Sequence, residues 1–336
     1  CGGGTCATSA CCQAGDDFKL PSDPKNYAPL EKYEAMKIPA DNPMTLEKAS
    51  LGRKLWFDKR MSGDGSRSCY GCHVNEKGLT DGVALNKGAY EKALSRHTPT
   101  LWNIGYHDEW YWDGRAKSLE GQALAAWKLA NMGAKDKEKD EIRGDVVAKL
   151  NELYAADVKA VFGGPATDKQ FAQALATYMR TIISQTTPWD KFLKGDKTAM
   201  SESAQRGWLV FNKAKCVNCH VGSLLTDKQF HNVGIGMKAE KPDVGRFTVT
   251  KIEKDTGAFK TPTLRDVARS APYFHDGSVA TLEEAVKLMV GGGIDNPHLD
   301  KVNLQKQELT AAEVADLIEF LKSLSETAVL TEPKLP

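Results

Sequence analysis

Two short cysteine motifs carry the chemistry that the sequence shows most directly. Each is a Cys-x-x-Cys-His pentapeptide, CYGCH in one half of the chain and CVNCH in the other. The spacing is typical of c-type haem attachment, because two thiols three residues apart can reach both vinyl groups of one porphyrin and the next histidine can bind its iron. Zinc sites or a redox dithiol are the alternatives. The two copies predict two covalently bound haems, held by Cys69, Cys72 and His73 and by Cys216, Cys219 and His220.

The sequence around these motifs is duplicated. The segment Thr98–Ala123 aligns without a gap on Thr261–Val286, at a constant offset of 163 residues. Both segments begin with TPTL, run through an aromatic cluster to Asp-Gly and then enter a predicted helix. An internal repeat of this kind predicts two copies of one haem-binding unit.

The two copies differ where a second iron ligand could lie. Met289 follows a T-x-x-E capping box on the predicted helix of the second copy, and Ala126 holds the matching position in the first. A methionine at this spacing is often simply a core residue, but its thioether could bind the second iron opposite His220. A His/Met pair raises the reduction potential and suits electron transfer. Alanine cannot bind iron, so we expect the first iron to keep an open position for a small oxidant.

Two further side chains of the first copy are candidate catalytic residues. Gln122 shares a predicted helix face with Ala126, which would place a neutral hydrogen-bond donor near the open position. Trp112 takes the place that His275 holds in the second copy. Its indole would either belong to the core or relay electrons between the two haems.

Helical patterns dominate the remaining sequence and strand patterns are few, so the expected fold class is mainly α with two cytochrome c-like domains. We divide the chain into a Cys/Gly-rich head over 1–24, an N-terminal domain over 25–185 and a C-terminal domain over 186–304, each domain with one haem. The last helix, within 305–325, could pack on the first domain. The predicted helices are Met44–Asp58, Ser118–Ala130, Asp140–Phe162, Asp168–Ser184, Ser201–Lys213, Thr281–Val290 and Thr310–Leu324.

Composition excludes several other classes of protein. A chain of 336 residues is too long for a lone small electron carrier. Its net charge of +1, without long blocks of one sign, gives no reason to expect a nucleic-acid partner. The longest apolar runs are far shorter than the roughly 20 residues that cross a bilayer, so no transmembrane segment is expected.

The Cys/Gly-rich head and the haem motifs together indicate in which cellular compartment the protein is found. Thioether haem attachment implies assembly outside the cytosol, which predicts a periplasmic protein in its processed form, since no secretory signal remains. Cys1 as first residue resembles a processed lipoprotein with a lipid anchor, although it could equally be a trimmed end. Cys6, Cys11 and Cys12 could form disulfides in an oxidising compartment, with a pairing that sequence leaves open.

From about Leu46 to Leu324 the chain resembles the bacterial di-haem cytochrome c peroxidase family, which includes the MauG-type enzymes. CYGCH, TPTLWN, WDGR, CVNCH, FHNVG, TPTLRDVA, APYFHDG and AVKLM occur in the family's order. The resemblance implies two cytochrome c-like domains facing each other, with a peroxidatic haem in the N-terminal one and an electron-transfer haem in the C-terminal one. It also implies that Trp112 lies between the haems, that Met289 is a distal ligand and that Gln122 lines the peroxide pocket.

The chain departs from the family pattern at three places. The family's distal histidine, about sixteen residues after the first motif, corresponds to Ala89, and its pocket glutamate corresponds to Met132. The calcium-binding asparagine corresponds to His97, which leaves the carbonyls of Ser270 and Pro272 as candidate calcium ligands.

These departures leave the group that moves a proton during peroxide cleavage unassigned. His107, Asp108 and Glu109 are candidates by their closeness in sequence to Trp112. FHNVG is more typical of the MauG-like branch, whereas MauG itself has a tyrosine in place of Met289.

Three functions follow as hypotheses. The first is an enzyme, a periplasmic oxidoreductase that reduces hydrogen peroxide to water with electrons from a small cytochrome c or cupredoxin. The second is a MauG-like enzyme that uses peroxide to oxidise aromatic residues of a partner protein. The third is a non-catalytic electron-transfer subunit of a larger complex, and a homodimer is also conceivable.

Overall fold

Ten α-helices and one two-stranded antiparallel sheet form the part of the chain that the computed structural model describes, residues 36–336. The mainly α prediction is therefore confirmed. The four head cysteines lie outside the described residues, and with them the expected lipid anchor and disulfides. The helices are α1 (Leu46–Phe57), α2 (Leu119–Lys128), α3 (Gly144–Leu153), α4 (Ala155–Phe162), α5 (Asp168–Met179), α6 (Pro188–Leu193), α7 (Glu202–Lys213), α8 (Phe247–Thr250), α9 (Leu282–Val290) and α10 (Ala311–Lys322), and the strands are β1 (Phe230–His231) and β2 (Phe259–Lys260).

Each domain is built around one close pair of helices. In the first domain α1 packs on α5, and in the second α7 packs on α10. A glycine permits both contacts: a Cβ atom at Gly52 would lie 2.0 Å from the carbonyl oxygen of Ala174, and one at Gly207 would lie 1.9 Å from that of Asp316. The backbones touch where a side chain would otherwise keep them apart.

The last helix belongs to the second domain, so the suggestion that it packs on the first is wrong. Phe320 of α10 lies 5.1 Å from Phe211 and 5.3 Å from Trp208, measured between ring centroids, and all three belong to the second hydrophobic core. The apolar face of α10 is therefore buried against α7 and does not pack on the first domain.

The segment after α10 does return to the first domain. Asn75 donates to the carbonyl of Leu330 at 2.9 Å and accepts from its N–H at 2.8 Å, while Arg53 donates to the carbonyl of Thr331 at 3.0 Å. The Leu330 side chain packs against the first core. The C-terminal segment, rather than the helix before it, therefore ties the two domains together.

Two predicted helices differ from the structure in their length. The helix expected over 140–162 is divided into α3 and α4 at Tyr154, which has φ −108° and ψ 26°. Its buried side chain turns inward, and its hydroxyl donates to the carboxylate of Asp58 at 2.6 Å. The helix expected over 168–184 ends at Met179.

No helix within 36–336 has both the length and the apolar character that a membrane span requires.

Substituting the contact glycine of the second domain should destabilise the protein. Gly207→Ala forces a methyl group onto the Asp316 carbonyl, and overpacking of this kind costs about 1–3 kcal/mol. We expect a lower midpoint of thermal unfolding for the holoprotein. Gly144→Ala is the matched control, because a Cβ at Gly144 meets no atom within 4 Å. Equal midpoints for the two variants would contradict this account of the helix contact.

Candidate haem centres

The two motif histidines are held in the same way. His73 Nδ1 lies 2.9 Å from the carbonyl oxygen of Leu79, and His220 Nδ1 lies 2.9 Å from that of Leu225. A carbonyl only accepts, so Nδ1 carries the proton and Nε2 keeps its lone pair for a metal. Burial lowers the pKa of both imidazoles, which favours the neutral form that binds iron.

The backbone that supplies these carbonyls is also duplicated. Leu79 has φ 60° and Leu225 has φ 52°, a left-handed conformation in both loops. The TPTL segments brace the loops from outside: Thr100 Oγ1 donates to the carbonyl of Gly78 at 2.7 Å, and Thr263 Oγ1 donates to that of Leu224 at 2.6 Å. The bonds that orient the two histidines are therefore of the same kind, although the loop from His73 to Leu79 is one residue longer than that from His220 to Leu225.

The motif cysteines fit thioether attachment better than the alternatives. All four are free and half-buried, and burial raises the pKa of Cys69 to about 12 and that of Cys216 to about 12. A protonated thiol is a poor redox nucleophile. Within residues 36–336 the one cluster of three or more metal-binding side chains is Cys219, Asp227 and His231, which contains no second cysteine. The zinc and dithiol interpretations therefore find no support in the geometry.

A cavity of about 580 Å³ opens beside the first motif. Cys69, Cys72 and His73 line it, as do the expected site residues Trp112 and Gln122, and its volume is within the usual range for a cofactor site. Ala126 also lines it, so the structure brings together the histidine and the alanine that the sequence places on opposite faces of the first haem. The other walls are mainly apolar and include Trp56, Ile104, Trp110, Trp127, Leu175 and Met179.

The acid–base candidates chosen by sequence proximity do not reach this cavity. Asp108 is bonded to Lys37 on the surface, and Glu109 to Arg246. His107 is buried away from the cavity, and burial, with Lys260 nearby, lowers its pKa well below the usual value. That expectation was wrong, because the chain from His107 to Glu109 faces the domain interface.

Several polar side chains of the cavity were missed by the sequence argument. Among them are Tyr111 and Arg115, and the guanidinium of Arg115 lies 3.6 Å from the centre of the Tyr111 ring. Met132, at the place of the family's glutamate, is buried in the wall. Ala89, at the place of the distal histidine, is fully buried and has no ligand atom. The signal for Tyr111 was in the repeat alignment, where Phe274 occupies its place.

Reciprocal backbone hydrogen bonds join the two haem units. The N–H of His97 donates to the carbonyl of His275 at 2.7 Å, and the N–H of Lys260 donates to the carbonyl of Trp112 at 2.8 Å. The donors are 163 residues apart, and so are the acceptors, so the two bonds are equivalent under the repeat. The indole Nε1 of Trp112 donates to the carbonyl of His97 at 2.8 Å. Trp112 therefore lies at the junction of the units.

Ion pairs surround this junction. Arg96 bonds Asp113 at 2.7 Å in its own domain and Asp243 at 2.7 Å in the other. Burial acts to lower the pKa of Arg96, but the two carboxylates raise it above its usual value. Arg246 of the second domain donates to the carbonyl of Asp113 at 3.0 Å.

Lys260 is a buried cation at the same junction. Its Nζ donates to the carbonyl of Glu109 at 2.7 Å, and no carboxylate forms an ion pair with it among the described residues. Burial, with Lys228 nearby, lowers the pKa of Lys260 to about 7.

The FHNVG motif clamps the loop beside the second haem motif. His231 lies between two carboxylates, with Nε2 2.9 Å from Asp227 and Nδ1 2.5 Å from Asp300. Burial acts to lower the pKa of His231, but these partners raise it. The charged imidazole holds two loops of the second domain together.

Met289 lies on α9 and is half-buried, and the predicted capping box of Thr281 and Glu284 is present at the start of that helix. Its role as an iron ligand remains a prediction.

The expected calcium site lacks one of its oxygen ligands. Calcium takes six to eight oxygen atoms, whereas the His97 side chain offers only nitrogen. Its Nδ1 donates to the carbonyl of Val83 at 2.8 Å, and its buried Nε2 has no hydrogen-bond partner within the described part of the chain. Only the carbonyls of Ser270 and Pro272 remain of the expected set. The residues present do not fit the family's calcium site, so no step is derived through that ion.

Comparison with known proteins agrees with this geometry. A family model described as di-haem cytochrome c peroxidase matches residues 46–198, and one described as cytochrome c matches residues 204–325. The chain is 36% identical over 365 residues to the cytochrome-c peroxidase IdrP1 of Denitromonas iodatirespirans, with 98% of this chain and 93% of that protein covered. The chain belongs to the di-haem cytochrome c peroxidase family.

Other members of the di-haem peroxidase family are similarly close. The methylamine utilization protein MauG of Methylophilus methylotrophus is 36% identical over 323 residues, with 93% of each chain covered. A crystal structure of a MauG-like protein associated with microbial copper homeostasis superposes with a TM-score of 0.78 at 31% identity, over 90% of this chain and 96% of that chain. This di-haem peroxidase is thus an oxidoreductase with two cytochrome c-like domains, and its family binds two covalent haems.

Replacing Lys260 should remove part of the pH dependence of stability. The pKa of Lys260 is about 7 in the folded protein and about 10.4 in an unfolded chain, so the unfolded state binds more protons between these values. The free energy of unfolding should therefore rise from pH 7 to pH 9, by up to about 1.4 kcal/mol per pH unit from this one group. In Lys260→Met this contribution should be absent. Denaturant unfolding of the holoprotein at several pH values measures the difference.

Lys301→Met is the control, since Lys301 is an exposed lysine whose loss should leave the slope unchanged. The same slope in the wild type and in Lys260→Met would refute the assignment.

Proposed function

We propose that this protein is a periplasmic di-haem peroxidase that reduces hydrogen peroxide to water with electrons from a small cytochrome c or cupredoxin. One observation carries the proposal: the cavity that contains His73 is lined by Ala126, where the second unit has Met289. An alanine leaves the distal side of the first haem open to a small oxidant. The periplasm follows from thioether haem attachment, which takes place outside the cytosol.

The haem of the first unit, when bound, supplies the redox centre at which peroxide is reduced. The chain positions everything around it. His73 would hold the iron through Nε2, because its Nδ1 donates to the carbonyl of Leu79. The mainly apolar wall limits water, and Gln122 offers an amide to a bound oxygen ligand.

The second unit is proposed as the point of electron entry. His220 and Met289 would give its haem the His/Met ligation that raises the reduction potential. From there Trp112 offers a hydrogen-bonded route to the first unit, because its carbonyl accepts from the N–H of Lys260, the residue directly before the TPTL segment of the second unit.

A second candidate function is MauG-like oxidation of aromatic residues in a partner protein. The 36% identity to a MauG protein and the similarity to the MauG-like structure favour it. Peroxide added to the protein with a candidate partner would then give mass shifts on the partner's tryptophan or tyrosine residues. Peroxide-dependent oxidation of reduced cytochrome c, without such shifts, supports the first proposal.

A protein ligand on the open side of the first iron should slow the reaction with peroxide. The wild type should oxidise reduced cytochrome c on addition of peroxide. In Ala126→Met a thioether can bind the iron, as proposed for Met289, and turnover should fall roughly tenfold or more, with loss of exogenous ligand binding. Steady-state absorbance of cytochrome c and ligand titration of the ferric protein measure the two effects.

Ala125→Met carries the same substitution one residue earlier on α2, at a position that does not line the cavity, and should behave as wild type. Wild-type turnover no faster than that of free haem would overturn the proposal. Full activity in Ala126→Met would do the same.

Removing the junction indole should slow transfer between the haems. Trp112→Phe deletes the bond to the His97 carbonyl and the aromatic nitrogen at the junction. We expect the rate of electron transfer from the second haem to the first, followed by stopped-flow absorbance, to fall roughly tenfold. Trp208→Phe is the control, because Trp208 packs against the second hydrophobic core and does not line the cavity. Equal rates in the two variants would exclude Trp112 from the route.

A further inference from the structure

Tyr111 differs from its counterpart in the second unit by a single hydroxyl group. Tyr111 has φ 66° and Phe274, 163 residues later, has φ 68°, so the two rings leave equivalent backbones. The hydroxyl occurs only in the unit where alanine replaces the methionine of α9. The first unit therefore differs from the second in two ways at once: it lacks the methionine ligand, and it has an additional hydroxyl group that can donate a proton.

The Tyr111 hydroxyl is placed beside the open side of the cavity. It donates to the backbone carbonyl of Gln122 at 3.3 Å, and Gln122 lies one turn before Ala126 on α2. Hydroxyl donors usually approach an oxygen to 2.5–3.0 Å, so this bond is long and can be exchanged for one to a ligand. Burial raises the pKa of Tyr111, although Arg115 and Gln122 act in the opposite direction. The phenol therefore remains protonated near neutral pH.

The other titratable groups that line the cavity are already engaged. Cys69, Cys72 and His73 belong to the attached face. Arg96, Asp113 and Asp243 are bonded to one another at the junction. His97 donates its Nδ1 proton to the Val83 carbonyl, and its Nε2, which has no partner among the described residues, is in this tautomer an acceptor and not a proton donor. Arg115 is bonded to Asp113 and covers the Tyr111 ring, which leaves Tyr111 as the lining residue with an exchangeable proton and a loosely held donor.

We infer that the Tyr111 hydroxyl is the distal proton donor of the first haem, taking the part that a carboxyl group at the Met132 position would play. This inference rests on the proposed peroxidase function. Tyr111 Oη gives its proton to the outer oxygen of peroxide as the O–O bond breaks, and that oxygen leaves as water. The proton of the inner oxygen returns to the phenolate, so the side chain ends unchanged. Two electrons from the external donor and two protons from solvent then convert the inner oxygen to the second molecule of water, so that one peroxide, two electrons and two protons give two waters.

The test uses Tyr111→Phe in the holoprotein, a substitution that the equivalent Phe274 shows the backbone can accept. Fluoride binding to the ferric first haem gives a readout independent of turnover, because bound fluoride is a strong hydrogen-bond acceptor. At fixed pH we expect the fluoride dissociation constant to rise roughly tenfold. The second-order rate constant for reaction with peroxide should fall roughly 100-fold. Haem content and the ligand-free spectrum should match the wild type.

Tyr90→Phe is the matched control. Tyr90 is exposed, its hydroxyl accepts from Arg143, and it does not line the cavity, so both constants should stay at their wild-type values. Equal fluoride affinity and peroxide reactivity in Tyr111→Phe and the wild type would overturn the assignment of Tyr111 while leaving the peroxidase proposal standing. A wild-type protein that binds no fluoride has no open iron, which would overturn the peroxidase proposal and this inference together.

Discussion

Two backbone hydrogen bonds across the domain interface fix the geometry on which the rest of the molecule depends. His97 donates to His275 and Lys260 donates to Trp112, and the repeat relates one bond to the other. Both donors directly precede a TPTL segment, and both TPTL segments brace the loop that orients a motif histidine. The interface and the iron ligands are therefore parts of one continuous backbone arrangement. A shift at the interface would move both imidazoles, so the separation of the two centres is set by the main chain.

Because the duplicated backbone is so closely preserved, a few side chains can give the two units different chemistry. Ala126 stands in place of a methionine, and Tyr111 in place of Phe274, without a change in local conformation. Trp112 stands in place of His275 at the junction itself. The fold thus supplies two similar scaffolds. The proposed difference between an oxidant site and an electron-entry site lies in side chains that can change without a change of backbone conformation. This separation explains how one repeat can serve both a reactive centre and a relay centre.

Local chemistry made much of this architecture predictable, and long-range packing made the rest unpredictable. The haem motifs and the capping box at Thr281 are short patterns whose meaning lies within a few residues. The division between α3 and α4 depends on the bond from Tyr154 to Asp58, two residues that are remote in sequence. The prediction that Glu109 lies in the peroxide pocket failed for the same reason. Closeness to Trp112 along the chain does not determine which way a loop faces. Nor does the sequence show that Lys260 is buried, because lysines are almost always exposed.

The C-terminal segment beyond α10 has a consequence for biogenesis. Its bonds to Asn75 and Arg53 complete the first domain with residues that are synthesised after the whole second domain. Until they are made, the surface that they cover near the first motif is incomplete, even though α1 and α5 can already pair. Attachment of the first haem can therefore precede the final closure of its domain.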